Sequence, residues 1–167
     1  MRTAFAFAAA LLATSALQAR SPTVHKPPSG FDSEVTALSA TQVAGLGTSE
    51  EIVRQYLKRI ADIDDSGPRL NAVIATFPDA IEQARRLDAE RRAGKVRGPL
   101  HGIPVLVKDN IEVAGPIPTT AGSLALKDNI TNRDAPLIAR LREAGAVILG
   151  KTNLSEWANF RSSKSTS

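Results

Sequence analysis

Gly98 to Asn110 reads G-P-L-H-G-I-P-V-L-V-K-D-N, and the rest of the chain is placed around it. Gly98 and Pro99 end what precedes. Ile103, Val105, Leu106 and Val107 then form a short apolar run, rich in β-branched residues and bounded by Gly and Pro. Such a run reads as a strand buried on both faces. Lys108 stands at its end, followed at once by Asp109 and Asn110. Stripping water from an ammonium is costly, so a buried Lys108 would pair with a carboxylate or give up its proton. Full burial can lower a lysine pKa by about 3–5, and a neutral lysine is a competent general base. The competing reading is a surface lysine paired with Asp109 or Glu112. Asp109 and Asn110 read as turn residues that hold the bend through side-chain to backbone hydrogen bonds.

Working backwards, Asp79 to Ala93 is strongly helical, with Ile81, Ala84 and Leu87 as its inward stripe and Gly94 as its end. Its arginines alternate with Glu82, Asp88 and Glu90, which reads as a solvated face with ion pairs one turn apart rather than a basic groove. Leu70 to Thr76 is a short β-like run. Before it, Thr48-Ser49-Glu50-Glu51 has the form of a capping box. The helix it opens carries Ile52, Tyr56, Ile60 and Ile63 on one stripe until Asp64-Asp65-Ser66-Gly67-Pro68. A further helix starts at Asp32 or Ser33 and carries Val35, Leu38 and Val43 toward Gly45. Arg20 to Gly30, with Pro22, Pro27 and Pro28, reads as a polar linker over residues 20–31. Residues 1–19 have a positive Arg2, an apolar run from Ala4 to Ala13 and small residues after it, the layout of a secretory signal peptide.

Working forwards, a Gly/Pro/Thr-rich loop runs to Ser123, then a short helix spans Leu124 to Lys127. Asp134 is placed to cap a helix with Leu137, Ile138 and Leu141 on its apolar face. Gly145 closes it, and Val147-Ile148-Leu149 is a second buried strand. Strand, crossover helix, strand is the βαβ pattern of an α/β layer. Asn153 to Phe160 can form another short helix. Gly145 to Thr152 also fits the P-loop pattern G-x-x-x-x-G-K-[ST]. That reading fails because its middle residues, Ala-Val-Ile-Leu, would themselves be the strand, whereas a P-loop needs a flexible loop there. Lys151 then reads as a strand-end lysine, hydrogen-bonded beside the site.

These residues carry a resemblance. GPLHGIPVLVKDNI resembles the first signature of the amidase signature hydrolases, and AGAVILGKTNLSEWANF resembles the next signature stretch, with the bacterial peptide amidases as the branch most like it. The likeness runs from about Val35 to Ser167. It implies an α/β fold: residues 32–167 as the N-terminal portion of the amidase signature fold, a mixed sheet surrounded by helices, here truncated. It also implies that Lys108 is the base of a Ser-Ser-Lys triad and that Lys151 is not. The two serines of such a triad lie in a Gly/Ser-rich segment that these residues do not include.

Composition narrows the rest. At 43% hydrophobic and 23% charged, the 167 residues suit a globular domain, not a disordered segment. The net charge of +4 is spread without a basic block, so nucleic-acid binding is not expected. No cysteine is present, which removes disulfides, thiol catalysis and Cys-ligated zinc. Of the two histidines, His25 lies in the linker and His101 in a Gly/Pro-bounded turn, and neither reads as catalytic. The serines, Ser123 and Ser155 among them, read as cap or turn residues, and the tail S-S-K-S-T-S lacks the glycines of an oxyanion hole.

The expected function is therefore the N-terminal part of a secreted or periplasmic bacterial amidase. It would act on a small amide or a C-terminal peptide amide, with no cofactor, no metal and no membrane partner once the leader is removed. The chain alone is expected to be inactive, and its last strand to lack a neighbour and expose an apolar edge. Two alternatives stay open: a transamidating subunit of a tRNA-dependent amidotransferase, and a non-catalytic binding protein.

Overall fold

The computed structural model describes residues 32–158. The expected signal peptide, the linker with His25, and the serine-rich tail lie outside them. Four helices, α1 (Asp32–Val43), α2 (Ser49–Arg59), α3 (Ala80–Arg92) and α4 (Pro136–Glu143), surround three strands, β1 (Val73–Thr76), β2 (Pro104–Lys108) and β3 (Val147–Thr152). The sheet order is β1-β3-β2; β1 runs antiparallel to β3 and β2 parallel to it. The sheet is thus mixed, and β2-α4-β3 is the crossover read from the sequence. Among the described residues, no helix is long and apolar enough to cross a membrane.

β3 is the centre of the molecule, not an unpaired last strand. It is flanked on both sides, so the expectation of an exposed edge there is overturned; the edges are β1 and β2. The reason is topological: the crossover through α4 lays β3 between two strands that precede it. Val147 and Leu149 enter one core cluster with Val53, Ala80, Ala84 and Leu87 of α2 and α3. Ile148 enters the other, with Phe77, Val107, Val113 and Ile138. Burying each Val, Leu, Ile or Phe side chain among them is worth about 1.5–3 kcal/mol.

α2 starts as read: Thr48 Oγ1 accepts from Glu51 N and Glu51 Oε2 accepts from Thr48 N. A carboxylate from α3 adds to the cap, for Asp88 accepts from Ser49 N at 2.8 Å and Glu50 N at 3.0 Å. The expected single stripe to Ile63 is corrected. α2 stops at Arg59, and Ile60–Ser66 winds as a π-helix closed by Gly67 N donating to Asp62 O. The wider winding turns Asp64 inward, where its carboxylate accepts from Ala72 N and Val73 N and fixes the entry to β1. Ile63 is left 37% exposed.

α4 also departs from the reading. Its N-cap residue is Ala135, with no side-chain cap, and Pro136 occupies the first turn. Proline at that place needs no capped N–H. Asp134 instead accepts from Ala114 N and pairs with Arg142. The short helix expected at Leu124–Lys127 is a single 3-10 turn, Leu124–Leu126; of the one expected over Asn153 to Phe160, Glu156–Ala158 makes a turn with Trp157 and Ala158 at positive φ, and Phe160 lies outside the described residues.

The turn before β2 is held by two glycines. Gly102 has φ +82, and a Cβ there would lie 1.9 Å from Ser49 Oγ. Gly145 has φ +86 and a Cβ there would press on His101. Gly102 N donates to Gly145 O at 2.7 Å, so the two turns lock together. His101 is 1% exposed; its Nδ1 accepts from Arg97 N and its Nε2 donates to Leu87 O. With both ring nitrogens engaged in structure, it has no free nitrogen for chemistry.

Candidate functional site at the strand ends

β2 is not buried on both faces. Val107 is 4% exposed, but Leu106 is 39% exposed and Lys108 is exposed. Alternation along a strand puts Pro104, Leu106 and Lys108 on one face and Val105 and Val107 on the other. The second face meets the cluster built by Phe77, Val113, Ile138 and Ile148. The first faces α2, which covers it only in part. What remains is an open cavity of about 290 Å³ lined by Tyr56, Ile60, Ile63, Pro104, Leu106 and Leu149. Four apolar residues in sequence could not report that only one face would be covered.

Lys108 is the last residue of β2, level with Thr152 at the end of β3. The chain then turns away: Asp109 N donates to Thr152 O, and Ile111 N donates to Lys108 O, closing a turn over Asp109 and Asn110. In open α/β sheets, ligands sit outside the carboxyl ends of parallel strands, which is where this turn stands. The two carboxylates nearest in sequence are engaged elsewhere. Glu112 pairs with Arg133, whose guanidinium holds its carboxyl below the usual range. Asp109 faces Lys151. The pairing of Lys108 with Asp109 or Glu112 is thus not what the structure shows.

Behind the turn lies a polar cluster that the sequence reading reached only in part. Lys151 is 0% exposed and Asp109 1%. Lys151 stands level with Val107 of β2, and the register slips between Val105 and Leu106. That slip, invisible in the apolar pattern, brings Lys151 to the inner side. Its Nζ donates to Ile111 O at 2.6 Å and to Thr119 Oγ1 at 2.9 Å, and lies 3.5 Å from Asp109 Oδ1. Burial pushes the Lys151 ammonium below its ordinary pKa, while the charges of Asp109 and Glu112 oppose that fall.

Asp109 holds more than its own turn. Its Oδ2 accepts from Thr120 N at 3.1 Å and from the Thr120 hydroxyl, and its backbone O accepts from Ala121 N at 3.0 Å. Its Oδ1 has no hydrogen bond and faces Lys151 across 3.5 Å. The Gly/Pro/Thr-rich loop is therefore tied to the tip of β2. Ser123 is buried in that loop and its carbonyl accepts from Leu126 N; the Ser155 carbonyl accepts from Ala158 N. Among the described residues, no group of acidic, histidine or cysteine side chains is arranged to hold a metal ion.

The arrangement offers one accessible amine at a strand tip, backed by a buried, nearly closed set of hydrogen bonds. Known proteins share the fold that presents it. The family model described as Amidase matches residues 51–167. The peptide amidase from Stenotrophomonas maltophilia superposes with a TM-score of 0.74 at 56% identity, over 78% of this chain and 26% of that one. An amidase family protein from Bacillus anthracis does so with a TM-score of 0.72 at 44% identity, over 77% and 25%. A glutamyl-tRNA(Gln) amidotransferase subunit from Salinispora arenicola is 42% identical over 131 residues, 75% of this chain and 26% of the relative. The chain thus spans about a quarter of the length of these relatives. With the family model covering well over half of its residues, and with the mixed sheet and helices of the solved relatives, the chain belongs to the Amidase family.

Proposed function

We propose that this chain supplies the lysine base to an amidase signature hydrolase that cleaves a carboxamide. The observation that carries the reading is the position of Lys108: an exposed amine at the carboxyl end of a strand that is parallel to the central one, on the strand face whose Pro104 and Leu106 line an open cavity. In its uncharged form Lys108 accepts a proton from a bridging serine, which takes one from a nucleophilic serine. That serine attacks the amide carbonyl, an acyl-enzyme forms, ammonia or an amine leaves, and water releases the acid. Both serines belong to the part of the family domain beyond the quarter this chain spans. By itself the chain binds no complete transition state and turns over no amide. The 56% identity to a peptide amidase favours a C-terminal peptide amide as the substrate over the transamidation of a charged tRNA. Residues 1–19 direct export, which places the mature protein in the periplasm or the medium.

The test joins the full chain to the remaining part of the Stenotrophomonas maltophilia peptide amidase and follows ammonia release from a C-terminal peptide amide. The joined protein hydrolyses it, Lys108→Ala does not, and the 167-residue chain alone does not. An inactive joined protein, or an active Lys108→Ala variant, contradicts the role given to Lys108. Turnover by the chain alone contradicts its dependence on outside serines.

A further inference from the structure

Lys151 is unusual on physical grounds alone. A fully buried ammonium must leave its water behind, and a well-packed apolar residue in its place would serve stability at least as well. Its neighbours in the fold, Ile148 on the same strand and Val107 across from it, already show an apolar lining. Stability therefore does not account for a charge at this place.

Its bonds say what it does instead. Lys151 reaches two stretches of chain: the turn, through the Asp109 carboxylate and the Ile111 carbonyl, and the loop, through the Thr119 hydroxyl. Asp109 passes the restraint on through its other oxygen to Thr120 and through its carbonyl to Ala121. Lys108 is covalently next to Asp109 and its carbonyl closes the same turn. Lys151 itself faces inward and is 0% exposed, so it cannot touch a ligand on the open side.

We infer that Lys151 is a positioning residue: by gathering Asp109, Ile111 and Thr119 around one buried charge, it fixes the turn that presents Lys108 and the loop that runs beside it. The inference rests on the amidase reading of Lys108 given above. It concerns the geometry of the catalytic amine, not its identity. A misplacement of an ångström at a reacting group can lower turnover by about a hundredfold while leaving substrate affinity alone.

The experiment uses the full chain joined to the remaining peptide amidase, as above, with a C-terminal peptide amide as the probe, well below each variant's melting temperature. Lys151→Met lowers kcat by about 30- to 100-fold and changes KM by less than about twofold. Thr119→Val, which keeps shape and removes one acceptor of the ammonium, lowers kcat by about 5- to 10-fold, and Thr119→Ser restores it. Should Lys151→Met fail to fold, the Thr119 pair decides alone. A kcat within twofold for Thr119→Val, or a KM that rises in step with any loss of kcat, overturns the positioning role. If the unmodified joined protein is inactive, or Lys108→Ala retains activity, the amidase reading falls first, and the role inferred from it goes with it. Activity lost on Lys108→Ala but untouched by Thr119→Val removes the positioning role alone.

Discussion

Lys108 and Lys151 stand at the ends of neighbouring parallel strands, the first on the last residue and the second one before it, and have opposite surroundings. Lys108 closes β2 on the face whose Pro104 and Leu106 line the cavity, and it is exposed. Lys151 lies one residue from the end of β3, wholly buried, with two hydrogen bonds and a facing carboxylate. Under the proposal above, the same side chain is a reagent in one place and a brace in the other. What separates them is the supply of partners. A buried ammonium persists only where acceptors close around it, and those acceptors then take their own order from it. An exposed amine has no such obligations, and it turns into a base only where the rest of the family domain covers it and strips its proton.

Four substitutions press on that contrast, and the first has the largest expected effect. Lys108→Ala removes the base from the joined protein and lowers kcat by about 10³-fold or more, with a melting temperature within about 2 °C of the parent. Steady-state kinetics together with a thermal melt check both halves. Next, Lys151→Ala strips Asp109 of its counter-charge and leaves the Thr119 hydroxyl and Ile111 carbonyl short of a donor. Urea unfolding should show a loss of about 3–5 kcal/mol. An equal stability for the Lys108 and Lys151 alanine variants would erase the distinction.

A smaller effect is expected at a buried carboxylate that bonds only to backbone. Asp88→Ala frees Ser49 N and Glu50 N at the start of α2 and should cost about 2–3 kcal/mol in the same unfolding experiment. The smallest belongs to an exposed ion pair. Glu50 accepts from Arg85 and Arg54, and these bonds lower its pKa to about 2. A carboxyl held lower in the folded than in the unfolded chain stabilises above the unfolded value of about 4.5, and that stabilisation is lost as the pH falls from there toward 2. Glu50→Gln should therefore flatten the acid limb of a stability-against-pH curve in that window, lowering stability above it and leaving stability near pH 2 little changed. Solvent screening keeps the effect slight.

The parts of this molecule that rest on local chemistry were readable in the sequence. The capping box at Thr48 and Glu51, the closing glycine at Gly145, the crossover from β2 to β3 and the strand nature of the false P-loop all follow from neighbours along the chain. So does the position of Lys108 at a strand tip. What escaped depends on partners far away. The uncovered face of β2 was hidden because an apolar run states what a residue prefers and not what arrives to cover it. Asp64 looked like a helix stop, yet its work is done on Ala72 and Val73 after a π-helical turn. Asp134 looked like a cap, but Pro136 made one unnecessary and Arg142 and Ala114 claimed the carboxylate. The centrality of β3 was missed because strand order is a property of the whole sheet. The burial of Lys151 needed the register slip opposite Leu106, which no pattern of hydrophobicity records.

The contrast between the two lysines can be measured directly on the folded chain by brief acetylation with acetic anhydride, read residue by residue by mass spectrometry. The account predicts that Lys108 is labelled alongside the exposed Lys58, Lys95 and Lys127, and that Lys151 stays unlabelled until denaturant unfolds the chain. A protected Lys108, or a Lys151 labelled as fast as the surface lysines under native conditions, would contradict it.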